Sequence, residues 1–278
     1  MPQPIADRLA VCSWSLHPKD PAELIEKMRQ IGIDKLQLAL DPLREGGPWK
    51  QAKQQLHDAG LKVIGGMFGS VGEDYTTLDS IKRTGGVVPD ETWPKTWANI
   101  QKIVPIAADL GLKYVMFHAG FLPHEANDPN FQKLLGRVEQ VADAFGQAGI
   151  TIGMETGQED ARTLLRFFEH VSKPNVGINF DPANMILYDK GEPVESLKVL
   201  VRHVKQCHIK DAVKTRQPGT WGQEVVVGTG EVDWPAFFTV LDEGGFDGYL
   251  AIEREWGDQR VQDIRAAKEF VLRTLASV

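Results

Sequence analysis

The pattern that decides the fold is clearest in GITIGMETGQEDARTLLRFFEHVSKPNVGINFDPAN, residues 149–184. A glycine and an apolar residue open a short apolar run that ends at Glu155. A helical pattern follows over 160–170, and a second apolar run ends at Asp181. A strand, a helix and another strand in this order are the repeating unit of a parallel sheet.

The same alternation continues in both directions along the 278 residues. We predict eight strands, at Leu9–Ser13, Lys35–Leu40, Lys62–Phe68, Tyr114–His118, Thr151–Glu155, Val176–Asp181, Val204–Ile209 and Tyr249–Glu253. We also predict eight helices, near Pro21–Gln30, Pro48–Ala59, Lys95–Leu110, Asn130–Ala148, Asp160–His170, Pro193–Val201, Trp234–Glu243 and Arg260–Leu275. Eight such units predict an α/β fold, a (β/α)₈ TIM barrel that forms a single domain over residues 1–278.

Five helix-to-strand junctions begin with a glycine followed by an apolar residue, at Gly32, Gly60, Gly111, Gly149 and Gly245. A glycine directly after a helix commonly adopts the left-handed conformation that ends the helix. An open doubly wound sheet is the alternative architecture. However, no GxGxxG motif follows a strand and no Walker A motif occurs, so the sequence lacks the signatures of nucleotide-binding folds.

The composition indicates an ordinary globular protein, with 42% hydrophobic and 25% charged residues. The formal net charge of −7 disfavours a nucleic-acid or anionic membrane partner. No apolar run approaches the roughly 18 residues that span a bilayer. The N-terminus lacks the apolar segment of a signal peptide. Cys12 and Cys207 stand alone in apolar runs, so we expect buried free thiols and a cytoplasmic location.

Acidic and imidazole side chains end the later predicted strands. The last four strands end at or near Glu155, Asp181, His208 and Glu253. In a barrel these ends meet at one rim, so the four side chains converge. A single strand-end carboxylate more often caps a helix or forms an ion pair. Four together favour one divalent cation, because three carboxylates and a +2 ion leave a charge of only −1. Mn²⁺ or Mg²⁺ suits these ligands best, with Co²⁺ or Zn²⁺ as alternatives.

Further residues near the same rim are candidates for substrate binding. His118 ends the fourth predicted strand, and packing is an equally good interpretation of this residue. Two long loops, Gly69–Thr92 and Ala212–Asp233, follow strands at the same end, and loops of this length are usually functional lids or disordered. The remaining candidates supply hydrogen bonds, charge or aromatic walls: Asn184, Lys210, Arg254, Trp14 and Phe68. For the aromatic residues, core packing is the alternative, and for Arg254 it is a salt bridge.

As a set, several segments resemble the xylose-isomerase-like barrels of the sugar phosphate isomerase/epimerase superfamily. They are Met154-Glu155, Asn179-Phe180-Asp181-Pro182-Ala183-Asn184, His208-Ile209-Lys210-Asp211, Gly228-Thr229-Gly230-Glu231-Val232-Asp233-Trp234 and Ile252-Glu253-Arg254-Glu255. The resemblance implies that Glu155, Asp181, His208 and Glu253 bind one divalent metal ion. It also implies that Glu155 and Glu253 are the catalytic acid and base.

Some positions depart from the pattern of ketose 3-epimerases in this superfamily. Asn184 stands where those enzymes usually have His, Lys214 where they usually have Arg, and the second strand lacks their frequent terminal Glu. The His-x-Lys-Asp run at 208–211 is similar to that of inosose dehydratases. The metal ligands and both glutamates are unaffected by these differences.

The function predicted from the resemblance is a metal-dependent sugar isomerase or epimerase that abstracts a proton next to a carbonyl through an enediolate. The alternative is a dehydratase or lyase on a keto-inositol or a 3-keto-glycoside, with the same metal site. An endonuclease-IV-like enzyme needs more histidines, and a non-catalytic sugar-binding barrel would not need both glutamates. We expect an unphosphorylated sugar or cyclitol as the partner molecule, and a homo-oligomer is compatible with the sequence.

Overall fold

Eight parallel strands close into a barrel in the computed structural model, which describes residues 4–277. Their order around the ring is β1-β10-β7-β6-β5-β4-β3-β2. The barrel strands are β1 (Leu9–Cys12), β2 (Lys35–Ala39), β3 (Lys62–Met67), β4 (Tyr114–Phe117), β5 (Thr151–Glu155), β6 (Val176–Phe180), β7 (Val204–Ile209) and β10 (Tyr249–Ile252). The predicted TIM barrel is confirmed, and each strand ends at the predicted residue or one residue earlier.

Helices surround the barrel, and the eight predicted helices are present with small shifts in their ends. The observed α-helices are α1 (Pro21–Ile31), α2 (Asp41–Glu45), α3 (Ala52–Asp58), α4 (Leu78–Thr84), α5 (Trp93–Asp109), α6 (Pro129–Gly146), α7 (Ala161–Phe168), α8 (Pro182–Leu187), α9 (Pro193–Leu200), α10 (Trp234–Glu243) and α11 (Arg260–Leu275). Four short 3₁₀ helices lie at Ile5–Arg8, Ser13–Leu16, Gly47–Gln51 and Val201–His203. Thus the helix predicted at Pro48–Ala59 is a 3₁₀ turn followed by α3.

The two long loops contain structure that the sequence pattern did not predict. Helix α4 lies in the first loop, where Thr77 and Ser80 form a reciprocal capping box. The second loop contains an antiparallel hairpin of β8 (Asp211–Val213) and β9 (Gln223–Val225). Both elements are too short for a hydrophobic period to reveal them.

The glycine junctions behave as predicted. Gly32, Gly60, Gly111, Gly149 and Gly245 all have φ between 68° and 74°. This left-handed conformation is available to glycine without steric cost, and it turns the chain from each helix into the next strand. The junctions lie at the N-terminal end of the barrel and leave the opposite rim free for the site.

A continuous apolar core fills the space between barrel and helices. Phe117 on β4 and Phe145 on α6 are both fully buried in it. Cys12 and Cys207 are buried free thiols, as expected. Over residues 4–277, no helix combines the length and the apolar character that a bilayer crossing requires.

Candidate metal centre and active site

Four polar side chains converge where the carboxyl ends of the last strands meet. Glu155 is the last residue of β5, His208 is the penultimate residue of β7, and Asp181 and Glu253 directly follow β6 and β10. Each offers one ligand atom, and these atoms all lie within 4.8 Å of one another. All four residues are buried, so their mutual repulsion is poorly screened by water. Such a cluster needs a compensating positive charge.

The His208 ring is oriented by a partner on the other side of the barrel. Its Nε2 lies 3.0 Å from Oε1 of Gln37, whose own Nε2 donates to the carbonyl of Gly66 at 3.4 Å. Because a glutamine Oε1 only accepts, Nε2 of His208 carries a proton. Nδ1 then faces the carboxylates, which is the orientation of a histidine that binds metal through Nδ1. Burial lowers the pKa of His208, but its acidic neighbours raise it well above the ordinary value, so a bound cation would replace a proton on Nδ1.

Two atoms of this cluster lack the hydrogen-bond partner that a buried polar atom needs, and a bound cation would supply it. Nδ1 of His208 and Oδ2 of Asp181 are buried and have no hydrogen-bond partner among the described residues. Nδ1 lies 2.7 Å from Oε1 of Glu155 and 3.4 Å from Oε2 of Glu253, but off the directions in which a hydrogen bond forms. Buried acceptors of this kind are costly unless a donor or a cation satisfies them. The residues therefore fit one divalent ion.

Lys210 supplies a fixed positive charge beside the cluster. Its buried Nζ lies 2.9 Å from Oε2 of Glu253, 2.5 Å from Oε2 of Glu255 and 3.7 Å from Oδ2 of Asp181. Burial lowers the pKa of Lys210, but these carboxylates raise it well above its ordinary value. Lys210 therefore stays protonated, and it also donates to Oδ1 of Asn184 at 3.3 Å.

A second imidazole contacts Glu155 from the other side. His118 Nε2 lies 2.7 Å from Glu155 Oε2, and Nδ1 of His118 lies 3.1 Å from Nε2 of Gln158. Burial lowers the pKa of His118, but the Glu155 carboxylate raises it to about 9. In turn, burial raises the pKa of Glu155, while His118 and His208 lower it to about 2. Glu155 is thus held as a carboxylate at neutral pH.

A cavity of about 820 Å³ opens above this cluster. Most of the site residues predicted from the sequence line it, namely Trp14, His118, Glu155, Asn184, Lys210 and Glu253. Trp14 also donates from Nε1 to Oε1 of Glu253 at 2.6 Å. The cavity therefore gives a small molecule access to both glutamates.

Phe68 does not line the cavity, so the structure gives no support to its predicted role in substrate binding. Its ring is buried and stacks on Phe117 and Phe145, at centroid distances of 5.1 Å and 5.8 Å. Since Phe145 belongs to α6, Phe68 points outward from the barrel into the layer between strands and helices. The alternative interpretation, core packing, holds for this residue.

Arg254 also lies outside the cavity lining, and the structure gives no support to its predicted contact with substrate. Its Nη1 binds Oε1 of Glu224 at 2.8 Å, and its Nε binds Oδ2 of Asp263 at 2.9 Å. The side chain points away from its neighbour Glu253 and ties β9 to α11. Its alternative interpretation as an ion pair is therefore correct, although the pair is buried.

Sequence reasoning missed three residues that shape the site. Gln37 orients His208, and its signal is a polar residue in the middle of the apolar run KLQLA. Glu255 pairs with Lys210, and its signal is the alternation in Glu253-Arg254-Glu255. Asp211 accepts from the backbone N–H groups of Gly228 and Gly230, at 2.8 Å and 3.1 Å, and so holds the second long loop beside the rim.

Comparison with known proteins places this geometry among related barrels. The sequence model of the Xylose isomerase-like TIM barrel family matches residues 25–274. The uncharacterized protein YihM of Escherichia coli is 26% identical over 166 residues, which are 59% of this chain and 50% of YihM. An inosose dehydratase of Clostridium perfringens is 24% identical over 181 residues, 61% of this chain and 49% of the dehydratase. The chain thus spans about half the length of the curated relatives it matches.

Solved structures show the same architecture. A xylose isomerase domain protein from Planctomyces limnophilus is 34% identical, with a TM-score of 0.85 over 91% of this chain and 94% of that chain. A xylose isomerase-like TIM barrel protein from Mycobacterium smegmatis in complex with magnesium is 17% identical. Its TM-score is 0.71 over 94% of this chain and 91% of that chain. At that identity the second likeness concerns the fold alone.

Proposed function

Because the chain belongs to the xylose isomerase-like TIM barrel family, we propose that it is a divalent-metal-dependent sugar isomerase or epimerase. The observation that carries the proposal is the cluster of three carboxylates and the free Nδ1 of His208, with all ligand atoms within 4.8 Å. Two of these carboxylates, Glu155 and Glu253, also line the cavity. The same side chains can therefore bind a cation and contact a substrate.

The metal site would consist of Glu155, Asp181, His208 and Glu253. Mn²⁺ is our first choice, and Mg²⁺, Co²⁺ or Zn²⁺ are the alternatives. A bound divalent ion would polarise a sugar carbonyl and so acidify the neighbouring C–H bond. The magnesium complex of the Mycobacterium smegmatis protein supports a divalent ion in a barrel of this fold.

Glu155 is our candidate for the base that removes the proton. It lines the cavity, and the two imidazoles beside it keep its pKa low, so it is ionised at neutral pH. The contact of His118 Nε2 with Glu155 Oε2, at 2.7 Å, fixes the direction of the carboxylate. The position of Glu155 meets the geometric requirement for a general base, which is a carboxylate held within reach of the substrate.

Glu253 is our candidate for the acid or base on the other side of the substrate. It extends from β10, which lies three strands from β5 around the ring. Trp14 donates to its Oε1 at 2.6 Å and Lys210 to its Oε2 at 2.9 Å, so both oxygens are held. Return of the proton to the neighbouring carbon would give an isomerase. Return to the opposite face of the same carbon would give an epimerase.

A second candidate function is a dehydratase or lyase acting on a keto-inositol or a 3-keto-glycoside. The contacts of Lys210 favour it, because this buried ammonium lines the cavity and forms an ion pair with Glu255 at 2.5 Å. An ammonium in this position can exchange its 3.3 Å hydrogen bond to Asn184 for one to a departing oxygen. The similarity to an inosose dehydratase supports the same alternative.

The test is incubation with Mn²⁺ and a panel of ketoses, keto-inositols and 3-keto-glycosides in D₂O, followed by mass spectrometry. Deuterium gained with all oxygens retained would support the isomerase or epimerase. Loss of water or of an alcohol would support the lyase. Absence of both reactions across the panel, with Mn²⁺ bound, would argue against the proposed enzyme class.

A further inference from the structure

The cavity above the candidate metal centre is larger than a single sugar ring requires. Pockets of about 300–1,000 Å³ are typical of sites for drug-sized ligands, and this cavity measures about 820 Å³. A monosaccharide is smaller than such ligands. A sugar ring on the acidic floor would therefore leave room in the outer part of the cavity.

The cavity also has apolar and aromatic walls, which we call the aromatic mouth, and one of its rings, that of Tyr75, lies edge to face with His118 at 5.9 Å. The aromatic mouth consists of Tyr75, Leu187, Tyr188, Trp221 and Trp256. These residues come from the loops after β3 and β10, from the end of α8 and from the connection between β8 and β9. Separate segments of the chain thus place apolar groups at one opening.

Two members of the aromatic mouth are exposed to an unusual degree for large apolar side chains. Trp256 is 68% exposed and Tyr75 is 44% exposed. In the same aromatic mouth, the rings of Tyr188 and Trp221 pack edge to face with centroids 4.6 Å apart, which gives a preformed wall. Exposed aromatic surface at the rim of a pocket is a feature of ligand sites, because a ligand that covers it removes apolar area from water.

The charges around the cavity exclude a good site for a phosphate group. Among its lining residues in the described part of the chain, Lys210 is the only lysine or arginine, and it already pairs with Glu253 and Glu255. Glu73 adds negative charge to the same lining, Glu224 is balanced by Arg254, and the protonated His118 already pairs with Glu155. An anionic substituent would meet carboxylates and no free cation, whereas a neutral apolar substituent would bury the aromatic rings without an electrostatic cost.

We propose that the substrate is a neutral sugar or cyclitol that carries an aromatic or other apolar substituent through a glycosidic or ether oxygen. This inference rests on the proposed function, which places the sugar ring against Glu155 and Glu253. The substituent lies in the aromatic mouth, against Trp256 and Tyr75. Specificity for a substituted sugar then comes from residues that are not among the candidate metal ligands or the candidate acid and base.

The test is calorimetric titration of the Mn²⁺-loaded protein with methyl and phenyl D-glucosides, both anomers of each. These ligands have no carbonyl, so binding is measured without turnover. We expect at least one phenyl glucoside to bind about tenfold more tightly than its methyl counterpart, because stacking and burial of the phenyl ring add to the contacts of the sugar. In the Trp256→Ala variant, the ratio of the affinity for the phenyl glucoside to that for the methyl glucoside should be close to one.

Leu272→Ala is the matched control, because Leu272 is also an exposed apolar side chain, at 37%, and lies on α11 outside the cavity lining. It should keep the wild-type ratio. Equal affinities for the two glucosides, or no binding of either, would overturn the inference.

The exchange experiment in D₂O separates this inference from the proposed function. Deuterium exchange together with equal affinities for phenyl and methyl glucosides would support the proposed enzyme class and refute the aromatic mouth as a specificity site. Preference for the phenyl group without exchange or elimination would retain the binding site and refute the proposed chemistry.

Discussion

Oε1 of Gln37 lies 3.0 Å from Nε2 of His208, and 171 residues separate the two along the chain. This contact turns Nδ1 of His208 towards Glu155, Asp181 and Glu253. A buried glutamine in the middle of β2 therefore determines which nitrogen of the histidine is available to a cation. Such partners of ligand histidines commonly contribute tenfold to a hundredfold to metal affinity.

We therefore expect Gln37→Leu to weaken Mn²⁺ binding by about 10–100-fold, because neither tautomer of His208 is then favoured. Binding is measured by calorimetry on the purified protein. Asn175→Leu is the control, since Asn175 is also an amide side chain with a hydrogen bond to a backbone carbonyl, that of Ala142 at 2.7 Å, and it lies before β6 at the opposite end of the barrel. Mn²⁺ affinity equal to wild type in Gln37→Leu would show that the contact does not tune the site.

Glu155→Gln should lower the rate of deuterium exchange by at least about 10²-fold at saturating Mn²⁺, because a neutral amide cannot accept the proton. The metal affinity of the variant is measured in parallel, so that loss of a ligand is distinguished from loss of the base. Glu195→Gln, on the exposed side of α9, serves as the control and should behave like wild type. A Glu155→Gln enzyme with normal turnover would exclude Glu155 as the base.

Lys210→Met should reduce stability in metal-free buffer by about 3–5 kcal/mol, since removing one partner leaves buried carboxylates without compensation. Mn²⁺ should then raise the melting temperature of this variant more than that of wild type. Thermal unfolding with and without Mn²⁺ measures both effects. Lys198→Met breaks only an exposed pair with Glu195 and should cost less than about 1 kcal/mol. If Mn²⁺ raised the melting temperatures of Lys210→Met and wild type equally, Lys210 would not be compensating the charge of the carboxylates.

Glu159 should make stability depend on pH. Burial raises its pKa from the ordinary value of 4.5 to about 8, and the N–H of Leu122, which donates to its Oε1, offsets this only in part. Because the folded pKa lies above the unfolded one, the stabilising contribution is complete below pH 4.5. It is then lost as the pH rises towards 8, by at most about 1.4 kcal/mol per pH unit.

Glu159→Gln keeps an acceptor for Leu122 and removes the titration. Its free energy of unfolding should therefore exceed that of wild type by a margin that grows between pH 5 and pH 8. Urea unfolding at several pH values measures the difference. Glu45→Gln changes a solvent-exposed carboxylate and should give a constant difference. A pH-independent difference for Glu159→Gln would refute the prediction.

Asp211→Ala should loosen the loop before α10. A single carboxylate oxygen of Asp211, Oδ2, accepts hydrogen bonds from Gly228 N, Gly230 N and Trp234 Nε1, at 2.8 Å, 3.1 Å and 3.1 Å. Several buried or partly buried donors then lose their partner, at about 1–3 kcal/mol each. Hydrogen exchange of residues 226–232 should accelerate, while exchange in β4 on the other side of the barrel should not. Equal protection of the loop in both proteins would show that other contacts hold it.

Much of the site is visible in the sequence because of the parallel barrel topology. Once Glu155, Asp181, His208 and Glu253 are assigned to the ends of successive strands, closure of the barrel brings them to one rim. Two predicted site residues lie outside the cavity lining for one shared reason. Phe68 and Arg254 also follow strand ends, but a residue that leaves the strand can point into the barrel or out towards the helices, and sequence position does not specify which.

Hydrophobic alternation and helix-ending glycines establish the order of strands and helices without knowledge of any long-range contact, because both are set by local backbone and side-chain physics. The contact of Gln37 with His208, the pairing of Lys210 with Glu255 and the aromatic mouth around Trp256 join segments that are far apart in the chain. Their existence depends on the register of the closed barrel and on the paths of its loops. Those are decided by the packing of the whole molecule, since a one-residue change of register or a different loop path would turn each of these side chains elsewhere.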